Sequence, residues 1–490
     1  MNIIIENCNV CQLDVGAKDG LKLYNAFTIR HPNAFYLRKS IKGWDGKVHF
    51  INRTGQFKIG LLPHVIQEAK KLGIKVNKII DQRKDIQVPK KIITHIGNYT
   101  LRPEQIRAVQ AVLNNKIKGI PYFIGVLDYT VNAGKSLIMS ALYLTFKRKL
   151  KTLLITNDAS WLTQAKREFK DYLPGEDITF VQGSKVQSWS NFSIGMIQSI
   201  SRNIKRYQNE LSQIEMVLVD EADLAGSKSY QNVLMHLYNT KVRIGLSGTI
   251  YMSKLKKDEL KNMNLESFFG PILTRYTLKQ SIKEGNSTNT IVKLIPYKTW
   301  YGNDYESHSN TFQEEYNKVI IDNQSSYDMV EDRVRYNLRY GRLPLLIVCK
   351  YVKHCENICE ILKFRLDKNL KIACVHVDTP QKERKKILEA FREGNLDILV
   401  STTIIARGKN FPLLKCMINA ACMDGQEKSI QFLGRLVRTS KGKTKAYLDD
   451  LQFPGRYLSR HGNHRKRYYK EQGLKVIDLK KYYKDYELPF

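Results

Sequence analysis

VLDYTVNAGKSLIMSALY, residues 126–143, is the stretch on which the fold turns. It continues an apolar run that starts at Phe123, breaks into small and polar residues, and resumes as an apolar pattern with helical spacing. A buried strand, a tight loop and a helix in that order form half of a parallel α/β unit. The loop ends in Gly134, Lys135 and Ser136, as a phosphate-binding loop of the form G-x-x-x-x-G-K-[ST] does, but Tyr129 occupies the first glycine position. In the functional reading, the backbone around Asn132, Ala133 and Gly134 cradles phosphates at a helix N-terminus, Lys135 neutralises the outer ones and Ser136 holds a Mg2+ ion. By itself the fragment is equally an ordinary α/β turn.

The same alternation recurs along the chain. Apolar strands YFIGVLD, TLLITND, SIGMIQSI, MVLVDEAD and VRIGLSGT alternate with helical patterns, and a second series follows in LPLLIVCK, LKIACVHVD, LDILVSTT, LKCMINAAC and TKAYLDD. Two doubly wound parallel-sheet domains in tandem are expected. Ahead of them, residues 1–95 read as a small α/β domain that closes on a polar DQRKDIQVPKK. The first sheet domain is expected over 96–285 and the second over 286–490, ending in a basic tail.

Composition narrows the partners. The chain has 490 residues, a hydrophobic content of 42% and a formal net charge of +33, an excess that suits a polyanion such as nucleic acid. Lysine-rich composition without a binding role is the plain alternative. The eight cysteines lie mainly in apolar runs and read as core residues of a protein in a reducing compartment; the Cys8 and Cys11 pair has no partner pair at zinc spacing. No signal peptide and no membrane-length apolar run is seen, so a cytoplasmic protein is expected.

Further side chains cluster at strand ends. MVLVDEAD delivers Asp220 and Glu221, a pair suited to holding Mg2+ through water and to activating a water, or else to capping a neighbouring helix. LSGT places Ser247 and Thr249 at another strand end, and Gln105 in LRPEQIRAVQAVL is either an adenine-reading amide or a solvated helix residue. QFLGRLVR sets Gln431, Gly434, Arg435 and Arg438 within two turns, with the arginines on one face as an anion fork or a salt-bridged surface.

Taken in order, TVNAGKS, VDEAD, LSGT, STTIIARGKNFP and SIQFLGRLVR resemble the superfamily 2 helicases, over about residues 99–465. The resemblance implies two RecA-like domains with ATP and Mg2+ bound between them. Lys135, Ser136, Asp220, Glu221, Arg435 and Arg438 would close on the γ-phosphate, and the family tolerates replacement of the loop's first glycine. It further implies that Gln198 and Ser199 lie near the nucleic-acid backbone, that Thr402, Thr403, Arg407 and Gly408 form the element coupling strand to nucleotide, and that movement runs 3′ to 5′. Ser247, Thr249 and Gln431 join that coupling set.

The N-terminal WDGKVHFINRTGQFKIGLLPHVIQEAKKLG resembles the accessory domain of the phage UvsW-type recombination helicases. That likeness implies an ATP-dependent DNA helicase or translocase acting on single-stranded and branched DNA, as a monomer or weak oligomer. Asp223, where His is more usual, keeps an RNA substrate open, and a non-catalytic annealing or scaffold protein is the reading from another class. Trp44 is expected as a core aromatic pinned in its turn, with base stacking as the alternative. The tail residues Arg456, Arg460, Arg465, Lys466 and Arg467, with Tyr457, Tyr468 and Tyr469, suit either a single strand or a helix packed on the core.

Overall fold

The computed structural model describes all residues except 42, 84–86, 147–149, 184–187, 249, 251–258, 298–308, 407–410, 425–431 and 482–490. The chain divides into two compact units, Met1–Tyr276 and Thr277–Phe490.

The first unit opens with a four-stranded sheet in the spatial order Gln56–Lys58, Val10–Asp14, Asn2–Ile5, Lys78–Asp81. Alternation in Asn2–Ile5 turns Ile3 and Ile5 inward, where the helices Ala17–Ala26 and Leu62–Lys71 cover them with Leu23, Val65 and Ala69. Tyr122 and Ile124, from the start of the phosphate strand, belong to this same core.

The seven-stranded sheet beside it is parallel throughout. Its spatial order is Ile178–Val181, Phe192–Met196, Thr152–Thr156, Met216–Asp220, Val242–Ser247, Ile124–Tyr129, Ile272–Tyr276. The central strands Thr152–Thr156, Met216–Asp220 and Val242–Ser247 are buried at every position, as strands covered on both faces must be. Numbered by sequence, the order is 3-4-2-5-6-1-7.

The second unit repeats it. Its parallel sheet runs Ile372–Val375, Ile398–Thr402, Leu345–Cys349, Cys416–Asn419, Lys445–Gln452, Asn289–Pro296, Lys475–Asp478, which is again 3-4-2-5-6-1-7. Identical strand ranks in two successive sheets make the tandem α/β architecture a duplication of one topology. Every cysteine is free of disulfides, and all but the half-buried Cys374 are buried, as small core residues are. Among the described residues, no helix is long and apolar enough to cross a membrane.

Candidate active site

The phosphate loop joins Ile124–Tyr129 to the helix Lys135–Thr145. Tyr129 is fully buried and turned away from the loop, its hydroxyl donating to the carbonyl of Glu104 at 2.8 Å and its ring beside Tyr276. The unusual first loop residue is thus a core side chain. Asn132 and Gly134 both have positive φ, +66° and +73°. Asn is among the few non-glycine residues that adopt this region readily, which suits it to this position.

The loop is braced from the helix Pro103–Leu113. Gln105 is 2% exposed; its amide NH2 donates to the Ala133 carbonyl at 3.0 Å, and its Oε1 accepts the Arg102 backbone N–H at 2.9 Å. Arg102 in turn donates to the Asn132 carbonyl at 3.3 Å and pairs with buried Glu104 at 2.8 Å. These two bonds use one N–H and one lone pair of the amide, which leaves a second N–H and a second lone pair for an adenine edge. In the arrangement observed, Gln105 fixes the loop's shape.

The acidic pair lies two strands away. Val242–Ser247 runs between Ile124–Tyr129 and Met216–Asp220, in a register that sets Asp128 opposite Ser247 and Asp220 opposite Leu246. All three strands therefore deliver polar ends at one edge, with the phosphate and acidic strands about 10 Å apart. Asp220 is buried, and burial pushes its carboxyl above the usual range while Lys135 and the Glu221 backbone N–H oppose the rise. Asp128 is raised to about 6 by burial, against the pull of Arg275 at 3.0 Å and of Lys135. Lys135 thus sits within electrostatic reach of two carboxylates.

Glu221 leaves the strand at φ +50°, a conformation disfavoured for L-residues and concentrated at functional turns. The close approach of the next strand helps fix it: a Cβ on Gly245 would stand 2.7 Å from the Ala222 Cβ. Ser247 donates to the Asp223 carboxylate at 2.6 Å in a buried contact. The sequence places Ser247 at a strand end and in the coupling set without an acceptor; the acceptor here is the fourth residue of DEAD, whose identity had served only to weigh RNA against DNA.

A divalent ion fits here. The Asp220 Oδ1 is buried and meets no hydrogen-bond donor among the described residues, and Ser136 follows Lys135 at the start of the phosphate helix. One carboxylate and one hydroxyl leave most of a Mg2+ shell to water and phosphate oxygens, as is usual for that ion in nucleotide sites.

In the second unit, Thr402 closes the strand Ile398–Thr402, buried, and Thr403 begins a short 3-10 turn. Residues 432–436 are helical, with Gly434 buried and Arg435 and Arg438 half-buried. The carbonyls that end this segment are held. Lys443 donates its amine to the carbonyls of Leu436 at 2.7 Å and Arg438 at 2.9 Å, and Thr288 donates its hydroxyl to Arg438 and its N–H to Val437. Burial, and then the Arg438 charge, pull Lys443 down to about 8. Neither Lys443 nor Thr288 was foreseen, because a lysine between Gly442 and Thr444 in the lysine-rich SKGKTK reads as surface charge. Thr249, Arg407, Gly408 and Gln431 lie outside the described residues.

The strand-contact candidates occupy matching places. Gln198 and Ser199 follow the fourth strand of the first sheet, and Thr402 and Thr403 stand at the end of the fourth strand of the second. Gln198 is exposed and reaches the Asn157 carbonyl at 3.4 Å; the Ser199 hydroxyl accepts the Gly183 N–H at 2.9 Å. Trp44 is pinned in its turn but half-buried and outside the core, donating its indole N–H to the Lys47 carbonyl at 2.8 Å with its ring against His31. The tail forms the helix Arg456–Glu471, in which Arg465 and Tyr469 are buried and Arg465 makes a fork to Asp450, whereas Arg456, Arg460 and Arg467 stay exposed. The inner face of that helix serves the fold.

Sequence families match along both sheets. One described as the type III restriction enzyme res subunit matches residues 98–252, and one described as the helicase conserved C-terminal domain matches residues 330–440. The chain is 23% identical over 445 residues to the ATP-dependent DNA helicase uvsW of Enterobacteria phage T4, spanning 87% of this chain and 85% of that one. It is 24% identical over 237 residues to the ATP-dependent RNA helicase dbp3 of Sclerotinia sclerotiorum, spanning 47% of this chain and 35% of the relative. Among solved structures, the ATP-dependent Type ISP restriction-modification enzyme LlaBIII bound to DNA shares the fold, with a TM-score of 0.58 and 13% identity over 83% of this chain and 34% of that one.

Proposed function

We propose, for a chain that carries the paired motor domains of the superfamily 2 helicases and resembles their phage UvsW-type members, that the ATP-dependent helicase acts on DNA and unwinds or branch-migrates branched molecules. The observation that carries the catalytic part is the Asp220 and Glu221 turn. A buried carboxylate oxygen that meets no donor among the described residues and a glutamate held at positive φ face the same sheet edge as the phosphate loop. In this reading Lys135 and the loop N–H groups bind the phosphates, Ser136 and Asp220 hold Mg2+ through water, and Glu221 orients and deprotonates the attacking water. Arg435 and Arg438 supply positive charge to the transferring phosphoryl group. Bound Mg2+ would neutralise charge on the phosphates; the ordering of the water falls to Glu221.

The choice of DNA is supported by the extent of likeness. The relative described as a DNA helicase is matched over 87% of this chain, and the RNA helicase over 47%. Contacts from Gln198, Ser199, Thr402 and Thr403 would fall on phosphates and sugars, positioning a strand without reading it. The RNA reading keeps its support in the literal DEAD of residues 220–223.

Steady-state ATP hydrolysis by wild type and Glu221→Gln, with no nucleic acid, single-stranded DNA, a four-way DNA junction or RNA of matched length, tests the proposal. Stimulation by DNA that drops about 100-fold or more in Glu221→Gln is expected. Stimulation by RNA alone would transfer the reading to RNA, and absence of hydrolysis under every condition would favour an annealing protein.

A further inference from the structure

The N-terminal domain carries an excursion that its sheet does not need. Strands Thr28–Arg30 and Lys47–His49 pair antiparallel, and the excursion between them carries a single helical turn, Ala34–Leu37. Ala34 faces inward at 2% exposure, but its neighbours Phe35 and Tyr36 are 70% and 71% exposed, and Ile41 is 48% exposed. Two adjacent aromatic rings left this open are costly in water and call for an occupant. Their rings meet edge to face at 5.4 Å, and the Lys39 amine lies 5.3 Å from the Phe35 centroid.

The base of the excursion is tied down while its tip is bare. The Arg38 guanidinium donates to the Asp45 carbonyl, the His31 N–H to Gly46 at 2.9 Å, and the Lys47 N–H to the Asp45 carboxylate at 2.9 Å. Gly46 has φ +79°, and a Cβ there would stand 2.7 Å from the Arg38 Nε, so the turn in WDGK admits no side chain. Trp44, the aromatic that the sequence singles out, is spent on this base.

The domain that carries the excursion is joined to the first motor sheet by a common core, including Tyr122 and Ile124 of the phosphate strand. The tip is therefore fixed with respect to the strand ends that hold the phosphate loop and Gln198.

Charge selects the occupant. Residues 28–49 contain five lysines and arginines, Arg30, Arg38, Lys39, Lys42 and Lys47, against the single carboxylate of Asp45. Open aromatic faces with a cationic rim suit a nucleic-acid base flanked by phosphates, since every base offers a π-face and every phosphate a charge. We propose that Phe35 and Tyr36 form a stacking post for the unpaired base exposed where duplex DNA opens into single strands. The post rests on the reading of this chain as a DNA motor: a fixed post at the opening point holds the separated base while the motor draws the strand past it.

The test uses the full chain without nucleotide and a forked DNA bearing 2-aminopurine at the first unpaired position, with wild type, Phe35→Leu/Tyr36→Leu and Phe35→Trp/Tyr36→Phe. The leucine pair keeps apolar area but removes the π-faces; both positions are exposed, so folding is spared. Wild type and the aromatic variant should quench the probe. The leucine pair should lose the quench and bind the fork about tenfold or more weakly, with blunt duplex binding kept within about twofold and DNA-free ATP hydrolysis unchanged. Equal quenching and equal fork affinity in the leucine pair would overturn the inference, including the case where an acidic protein is the true occupant. If the wild type hydrolyses no ATP yet quenches through these rings, the post stands and the motor reading falls; if DNA-stimulated hydrolysis is present but the leucine pair quenches normally, the reverse holds.

Discussion

Gly134 shows how much of the nucleotide site is decided by single backbone positions. Its φ is +73°, and a Cβ added there would lie 2.4 Å from the Gln105 amide nitrogen, which is itself bonded to the Ala133 carbonyl. Gly134→Ala therefore imposes left-handed strain of about 1–2 kcal/mol and dislodges the brace. ATP-analogue affinity, followed by fluorescence titration, should fall about tenfold or more, and an unchanged affinity would contradict the bracing role of Gln105. Lys135, Ser136, Asp220 and Glu221 stand out in the sequence because the proposed chemistry calls for those side chains at those spacings. The brace does not, because Gln105 acts through a contact 28 residues distant, and no local pattern separates a buried amide from a solvated one. Tyr129 was misleading for a related reason: a motif position specifies a backbone path, and the side chain there is free to point into the core.

At the scale of elements, most strands read from the sequence are internal to the sheets, the edge strand Ile372–Val375 excepted, and those overlooked lie mostly at sheet edges, the internal strand Asn289–Pro296 excepted. Ile178–Val181, Ile272–Tyr276 and Lys475–Asp478 are edge strands with half-exposed positions, so polar residues interrupt their apolar runs. Helix packing in the second unit carries a pH dependence that the sequence does not announce. His354, on the helix Val352–Arg365, is 1% exposed and contacts the Tyr316 hydroxyl of the helix Phe312–Tyr316 at 3.1 Å. Burial lowers its pKa from 6.5 to about 3. A histidine depressed in the fold contributes stability that is present above the unfolded value and is lost as pH falls from 6.5 toward 3. Between pH 7 and pH 5 this one group should cost about 2 kcal/mol. Denaturant melts of wild type and His354→Gln across that range check it: the variant should start less stable but lose less on acidification, and parallel losses would mean that His354 is not buried neutral.

At the scale of the whole chain, the question is whether the N-terminal domain is an appendage or a part of the first motor. The polar DQRKDIQVPKK has the composition of a linker, yet linker composition says nothing about whether the faces on either side of it pack. Here they do. Arg243, in the strand Val242–Ser247, is 1% exposed and is lowered to about 10 by burial; its guanidinium donates to the Asn9 side-chain carbonyl, and the Asn9 amide donates to Met235 at 3.0 Å. The Tyr122 hydroxyl donates to Ile59 at 2.7 Å, and a Cβ on Gly60 would stand 2.2 Å from the Glu266 carbonyl, so backbone meets backbone across the seam. Removing the domain would strip Arg243 of its acceptor and would bare Tyr122 and Ile124. Asn9→Ala should then destabilise the unit Met1–Tyr276 by about 1–3 kcal/mol, the cost of an unsatisfied buried donor. Deletion of residues 1–95 should give a first motor sheet that no longer unfolds cooperatively. Calorimetry on both variants measures this, and a truncated chain that melts sharply and hydrolyses ATP at the wild-type rate would show the domain to be separable after all. The expected coupling also explains why the serine strand can serve two ends at once: Arg243 anchors the N-terminal domain at its start, and Ser247 holds the acidic turn at its finish.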